Sequence, residues 1–353
     1  MQLKRGTTAK NAEYLGSDGE LTVDTDRDIL VLHDGVQRGG RPIPRYGRNV
    51  LLNGNFGLWR YATSQDNAVQ GYGSADRWFN VNSGSTRTVS RQAFALGQTA
   101  VPGNPEFYMR TAFTAGAGIN DYVLNLQRVE GVETLSGGKV ALSFWARSLL
   151  ADLDFSVELR QMFGSGGSPT PARTSLYPKK FKLSQAFKKY TYVVSIPSVA
   201  DCVLGTDLKD NLGLALWYDA GSAYGVQAGG LGHQSGTIDI AQIQLEAGGV
   251  VTEFDLRPPQ LELLLNERYL RFINHTFSGD ISNGGTYYVR TVLQPPMRAA
   301  PELIGTHAAA ASGFPAEVGT LSASSSAVIE SRAANATAAA GLYSTAIKAS
   351  AEL

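Results

Sequence analysis

Two stretches of this chain, Lys139-Val-Ala-Leu-Ser-Phe-Trp-Ala-Arg147 and Thr237-Ile-Asp-Ile-Ala-Gln-Ile-Gln-Leu-Glu246, alternate apolar and polar side chains. A period of two suits a β-strand with one buried and one wet face, and it does not line one face of a helix. Further strand candidates lie at Asp76–Val81, Thr86–Gln92, Tyr122–Arg128, Asp154–Phe163, Lys188–Ile196 and Asn211–Tyr218. No long helix interrupts them, and the 39 glycines of the chain supply turns. The expected fold of this stretch is a β-sandwich of jelly-roll type.

The flanking regions are also strand-rich. Glu20-Leu-Thr-Val-Asp24 and Ile29-Leu-Val-Leu-His33 read as a hairpin joined by Thr25-Asp26-Arg27-Asp28, and Asp34-Gly35 closes the second strand. Gly39–Pro44 then reads as an extended linker. Beyond Pro258-Pro259, Leu261–Ile273 carries apolar residues at 261, 264, 265, 269 and 272, the only helix predicted in the chain. Thr286–Leu293, Ala327–Glu330 and Ser344–Leu353 read as strands in a region rich in Ala, Gly, Ser and Thr. The chain is thus expected to be all-β and multi-domain: a small N-terminal β domain at 1–47, the jelly roll at 48–257, a linking helix at 258–277 and a C-terminal β domain at 278–353.

Composition narrows the function classes. Lys+Arg and Asp+Glu each total 31, so no basic face for nucleic acid is expected. Cys202 is the single cysteine, which excludes an intrachain disulfide. The opening residues Met1-Gln-Leu-Lys-Arg5 lack a following apolar segment, so no cleaved signal is expected. Nor does any run of about 18 apolar residues call for membrane insertion.

Catalytic and metal motifs are missing from the sequence. His33, His233, His275 and His307 stand far apart, with no HExxH pattern. Asp24, Asp26 and Asp28 alternate as in calcium loops, but Ile29 occupies the position where the sharp EF-hand turn needs glycine. A solvated hairpin turn fits better. GxSxG and GxxxxGK[ST] do not occur, so no catalytic residue, metal or cofactor is expected.

Sugar binding is the function with physical content in these residues. Aromatic faces stack on the C–H faces of pyranoses, while Asp, Asn, Gln and Arg read hydroxyls. Trp217, Tyr218 and Asp219 precede a long glycine-rich loop, 220–236, that contains Tyr224 and His233; these five form one candidate patch. Tyr72, with Tyr61 and Gln65, forms another. The competing reading puts Trp59, Trp78, Trp145 and Trp217 in the sandwich core.

Three segments carry a resemblance. Lys4-Arg-Gly-Thr-Thr-Ala-Lys-Asn-Ala-Glu-Tyr14, Gly19–Asp24 and Val31–Gly35 resemble the small N-terminal domain of bacteriophage receptor-binding and tail-fibre proteins. Asn49-Val-Leu-Leu-Asn-Gly-Asn-Phe56 with Trp59 and Ala75-Asp-Arg-Trp78 resembles the opening of carbohydrate-binding-module-like jelly rolls in phage tail proteins. Leu245–Gly248 and Thr252–Pro258 resemble its end, and Glu262–Leu270 its exit helix, with Asn266 and Leu270 in place of the usual cysteine and second tyrosine. The resemblance implies a virion protein made in a bacterial cytoplasm: a tail fibre or receptor-binding protein that forms an intertwined homotrimer. It would join other virion proteins through its N-terminal domain and attach to host surface glycan. Two alternatives stand beside it. One is a purely structural head fibre, decoration or baseplate adaptor protein, and the other is a polysaccharide-cleaving or esterase enzyme.

Overall fold

Lys4–Gly6 (β1), Leu21–Asp24 (β2), Ile29–Leu32 (β3) and Arg41–Pro42 (β4) form a four-stranded sheet in that order. The computed structural model describes residues 3–25, 29–42, 47–307, 312–315 and 317–353. The expected hairpin is present, with Leu21 opposite Leu32 and Asp24 opposite Ile29. Asp26 and Asp28 of its turn lie outside the described residues. Asp24 is buried and accepts from Thr8 Oγ1 at 2.9 Å, as a structural carboxylate does. His33 is buried as well, with Nε2 2.9 Å from Thr22 Oγ1 and its ring edge-on to Tyr14. The sequence reading passed over Thr8–Glu13 (α1), a six-residue helix whose Thr7 cap accepts from Lys10 N. It is short and lacks an apolar stripe. Its anchor is polar: Asn11 Nδ2 donates to Gly6 O and Oδ1 accepts from Thr22 Oγ1.

The central strands run Ser64–Asp66 (β5), Gly71–Tyr72 (β6), Phe79–Ser83 (β7), Thr86–Ala93 (β8), Phe107–Thr114 (β9), Tyr122–Glu130 (β10), Lys139–Ser148 (β11), Asp154–Met162 (β12), Arg173–Lys182 (β13), Lys188–Ser195 (β14), Asn211–Ala220 (β15) and Gly236–Ala247 (β16). They form two antiparallel six-stranded sheets, β13-β12-β15-β10-β7-β6 and β14-β11-β16-β9-β8-β5. Leu142, Phe144, Phe155, Val157, Leu214, Leu216, Ile240 and Leu245 meet between them in one continuous core. This is the sandwich that the alternation predicted. All eight predicted strands are present, while β5, β6, β9 and β13 were missed. Strand β9 hides its period because Tyr108 on its outer face is buried too, against Val101, Phe94 and Phe187. Strand β13 lies at a sheet edge, where Pro178 is tolerated, and its pairing with β12 slips twice.

The motif residues at the two ends of the sandwich fasten them together. Asn49 Nδ2 donates to Ile243 O and Asn49 Oδ1 accepts from Leu245 N. Asp255 Oδ2 accepts from Gly47 N and Asn49 N, and Arg257 donates to the carbonyls of Asn49 and Leu51. Gly54 has no alternative, since a Cβ there would stand 2.2 Å from Ile243 O.

The chain divides into two units, Met1–Pro258 and Pro259–Leu353. The N-terminal sheet and the sandwich therefore share a unit, and the second unit starts at Pro259. It comprises Pro259–Asn266 (α2), Leu270–Ile281 (β17), Thr286–Val292 (β18), Glu302–His307 (β19), Thr320–Ser324 (β20), Ala327–Ala333 (β21) and Ala338–Ser350 (β22). Its sheets are ordered β17-β22-β19 and β18-β21-β20. The helix expected over Leu261–Ile273 stops at Asn266, whose side chain bonds back to Glu262 O. Residues from Leu270 onward pair with β22, Leu270 opposite Ser350 and Ile281 opposite Ala338.

Candidate functional site

The patch expected around the 220–236 loop is closed. Along β15, Leu214, Leu216 and Tyr218 point into the inter-sheet core, while Ala215 and Trp217 face outward beneath the loop. Trp217 is 1% exposed and Tyr218 0%, so neither ring offers a face to a sugar. This corrects the sequence reading of both residues. Trp217 Nε1 donates to Glu158 Oε2, which also accepts from Arg160, and Tyr122 and Tyr224 pack against the indole. Burial pushes the Tyr218 phenol above its ordinary range.

Asp219 is also fully buried, and its role is to gather loops. It accepts from Ser85 Oγ at 2.6 Å and Gln234 N at 3.0 Å, and His233 Nδ1 lies 3.0 Å away. His233 Nε2 faces Gly118 O at 3.1 Å. Both ring nitrogens thus face acceptors, an arrangement only the imidazolium satisfies fully. The hydrogen bond to Asp219 raises the His233 pKa from its ordinary value against opposing desolvation.

Tyr224 and His233 remain accessible: Tyr224 is half-buried in a cluster with Tyr122, and His233 is exposed. Tyr72 is half-buried edge-on to Phe79, and Gln65 is buried with its amide committed to Val69 O, Gly71 O and Asn80. The structure joins Trp217, Asp219, Tyr224 and His233 in one region, and Tyr72 adjoins it through Phe79. Sequence reasoning missed Arg128, which lies over the Phe79 ring at 4.4 Å, and Arg160, over Trp217 at 5.6 Å. Strand parity could have found them, because Phe79, Arg128, Arg160 and Trp217 share an outer face. Of the four tryptophans, Trp59 and Trp78 are core, whereas Trp145 is half-buried on the outer face of the other sheet.

A hydroxyl, an imidazole and a carboxylate stand in line in the second unit. Thr291 Oγ1 is 3.1 Å from His275 Nε2, and His275 Nδ1 is 3.4 Å from Glu330 Oε2. His275 and Glu330 are 0% exposed, and Arg332 and Thr345 occupy the other carboxylate oxygen. The imidazole and the carboxylate lie in the core, and Thr291 is half-buried beside them. Among the described residues, no group of three or more His, Cys, Asp or Glu side chains is placed to hold a metal ion.

The N-terminal sheet carries a basic hollow of about 280 Å³ lined by Lys4, Arg5, Lys10, Asn11, Tyr14 and Thr22. Lys4 Nζ donates to Tyr14 OH and pairs with Glu20 at 2.8 Å. The Lys4 ammonium bonded to it draws the Glu20 carboxyl down to about 2.

Residues 1–37, which include this hollow, match the family model for the major tropism determinant N-terminal domain. Over 46 residues the chain is 46% identical to the tail fiber receptor-binding protein of Bordetella phage BPP-1, a match spanning 13% of this chain and 12% of that protein. Among solved structures, the family 11 carbohydrate-binding module from Clostridium thermocellum aligns with 54% of this chain and 98% of its own, at 11% identity and a TM-score of 0.30. A xylan-binding domain from Paenibacillus barcinonensis aligns over 48% and 91%, at 12% identity and a TM-score of 0.29. No helix among the described residues is long and apolar enough to cross a membrane.

Proposed function

We propose that the chain is a virion subunit of a bacteriophage appendage, a tail fibre or receptor-binding protein that attaches the particle to the host cell surface through glycans. The observation that carries this reading is the N-terminal match to a tail fiber receptor-binding protein. In this reading the sheet of residues 1–47 joins the particle and other copies of the chain, 48–257 forms the body, and the C-terminal β unit projects as the tip. A homotrimer would bury apolar surface that so small a sheet leaves open. Attachment would be multivalent, since weak contacts repeated over copies raise avidity without a tight single site. No chemical step is needed, and none is proposed.

A second reading is favoured by the closure over Trp217 and Tyr218: a head fibre, decoration or baseplate adaptor protein with a purely structural role. One sample separates the two. Light scattering on the purified chain should give a mass near three times 37.7 kDa. The same material should sediment with intact bacterial cells and fail to do so after periodate oxidation of their surface sugars. Binding that survives periodate would point to a protein receptor. A chain that sediments with no bacterial cells would sink the attachment reading in favour of the structural one.

A further inference from the structure

Trp145 lies on β11 opposite Lys189 of β14 and Ala241 of β16. The β11–β16 register shifts between Ser143 and Trp145, so Gln242 and Ile243 together oppose Phe144. Ile243 keeps its place in the inter-sheet core, and Gln242 is the extra residue, with φ of +46°. A non-glycine residue in this left-handed conformation is unusual inside a strand, and bulges of this kind re-aim a side chain. Here the re-aimed amide lines a cavity of about 380 Å³ on the outer face of the sheet, beside Trp145.

The wall and the polar groups of this cavity are complementary in kind. Trp145, Phe254 and Leu256 supply apolar surface, and Ser143, Gln242, Lys189 and Glu253 supply polar groups. Ser143 is only 3% exposed, yet its hydroxyl has no hydrogen-bond partner among the described residues. Gln242, 6% exposed, commits Nε2 to Pro102 O at 2.8 Å and leaves Oε1 without a partner. The Trp145 indole N–H and the Glu253 carboxylate are also unpartnered, while Lys189 Nζ donates to Thr252 O. The Ser143 and Gln242 side chains are buried as a whole, but these polar atoms open onto the cavity, where a ligand can take the place of solvent. Donors and acceptors left open around an aromatic wall, in a volume within the usual small-molecule range, describe the outline of a ligand.

We propose that this cavity binds an uncharged pyranose unit of a surface saccharide, an assignment that deepens the attachment reading and rests on it. One C–H face of the ring lies on the Trp145 indole. Its hydroxyls donate to Gln242 Oε1 and Glu253, exchange a hydrogen bond with Ser143 Oγ and accept from Trp145 Nε1. Lys189 and Glu253 bring one charge of each sign, so the cavity has no net field to favour a uronate or a phosphorylated sugar.

The test uses the full chain against neutral gluco-, manno-, galacto- and xylo-configured hexasaccharides, with a polyuronate hexamer as control, read by calorimetry and by Trp fluorescence. At least one neutral hexasaccharide should bind, and Trp145→Ala should weaken it about 10-fold or more. Gln242→Gly is the second variant: glycine accepts the positive φ, so the fold is kept, and affinity should fall by a similar factor. Equal binding by wild type and both folded variants would overturn the site while leaving glycan attachment standing. Preference for the polyuronate would overturn the uncharged class. Failure of every hexasaccharide, with periodate-sensitive sedimentation on cells retained, would overturn this cavity as the contact and spare the attachment reading; loss of both would remove the two together.

Discussion

Asp239 shows how much one side chain can hold on the open face of a sheet. It is 0% exposed and accepts from Arg110 Nε at 2.7 Å and Arg147 Nε at 2.8 Å, and this contact raises the Arg110 pKa. Asp239→Asn would leave two partly buried guanidinium groups without a counter-charge. Stability should fall by about 3 kcal/mol, seen as a lower urea midpoint at unchanged m-value. Two histidines respond to pH in opposite senses. His233, raised by Asp219 with Asp121 also nearby, contributes fully below its unfolded pKa of about 6.5 and loses that contribution as pH rises through the higher folded value. His275, lowered by burial against the opposing Glu330, contributes fully above about 6.5 and loses it as pH falls towards the lower folded value. Hydrogen exchange corrected for its intrinsic pH dependence should therefore quicken in the 221–235 loop as pH rises above about 6.5, and in the second unit as pH falls below about 6.5. His233→Asn should flatten the first trend alone; a loop that keeps the trend without His233 would refute the assignment. The grouping of Asp219 with His233 was legible in sequence, but their bonds to Ser85 and Gly118 were not, because those residues come from distant loops.

Strands were legible where residue types alternate or form an apolar run, whatever covers their two faces. β11 was readable because Val140, Leu142, Phe144 and Ala146 face the core while Lys139 and Arg147 do not. β9 was missed because aromatic Tyr108 takes an outward position and polar Thr111 an inward one, which blurs the alternation. Leu261–Ile273 failed for another reason. Its apolar spacing fits a helix, but Tyr269–Phe277 is rich in aromatic and branched residues, and a distant strand was available to pair with it. That partner makes the second unit dependent on its last strand. β22 is the central strand of its sheet, joining β17 and β19, and Thr345 belongs to the buried Glu330–Arg332 cluster. Truncation after Tyr343 should abolish the cooperative melting of Pro259–Leu353 and expose it to protease, while the melting of Met1–Pro258 is unchanged. A protease-resistant fragment spanning 259–343 would contradict this.

At the scale of the whole chain, order along the sequence carried most of what could be read. The N-terminal hairpin, the sandwich and a C-terminal β region were each recognisable from local pattern. The second unit opens at Pro259 with α2, and its first strand follows at Leu270. If the chain acts by attachment, its binding face belongs to the sandwich body, and copies held together at the N-terminal sheet would present that face several times over. Such a design tolerates a modest individual site.

The sequence by itself determined that the chain is all-β, that its middle is a two-sheet sandwich, and that its N-terminal segment, 1–47, is of a recognisable type. These properties are written in nearest-neighbour patterns: a period of two, turn residues and short ordered motifs. Only the tertiary structure decided which aromatic rings meet solvent. Trp217 and Trp145 both sit in alternating strands, yet a loop closes over the first, and a one-residue bulge at Gln242 helps to open a cavity beside the second. Parity along a strand says which sheet face a side chain takes. What covers that face comes from residues far away in the chain, and no local pattern encodes it.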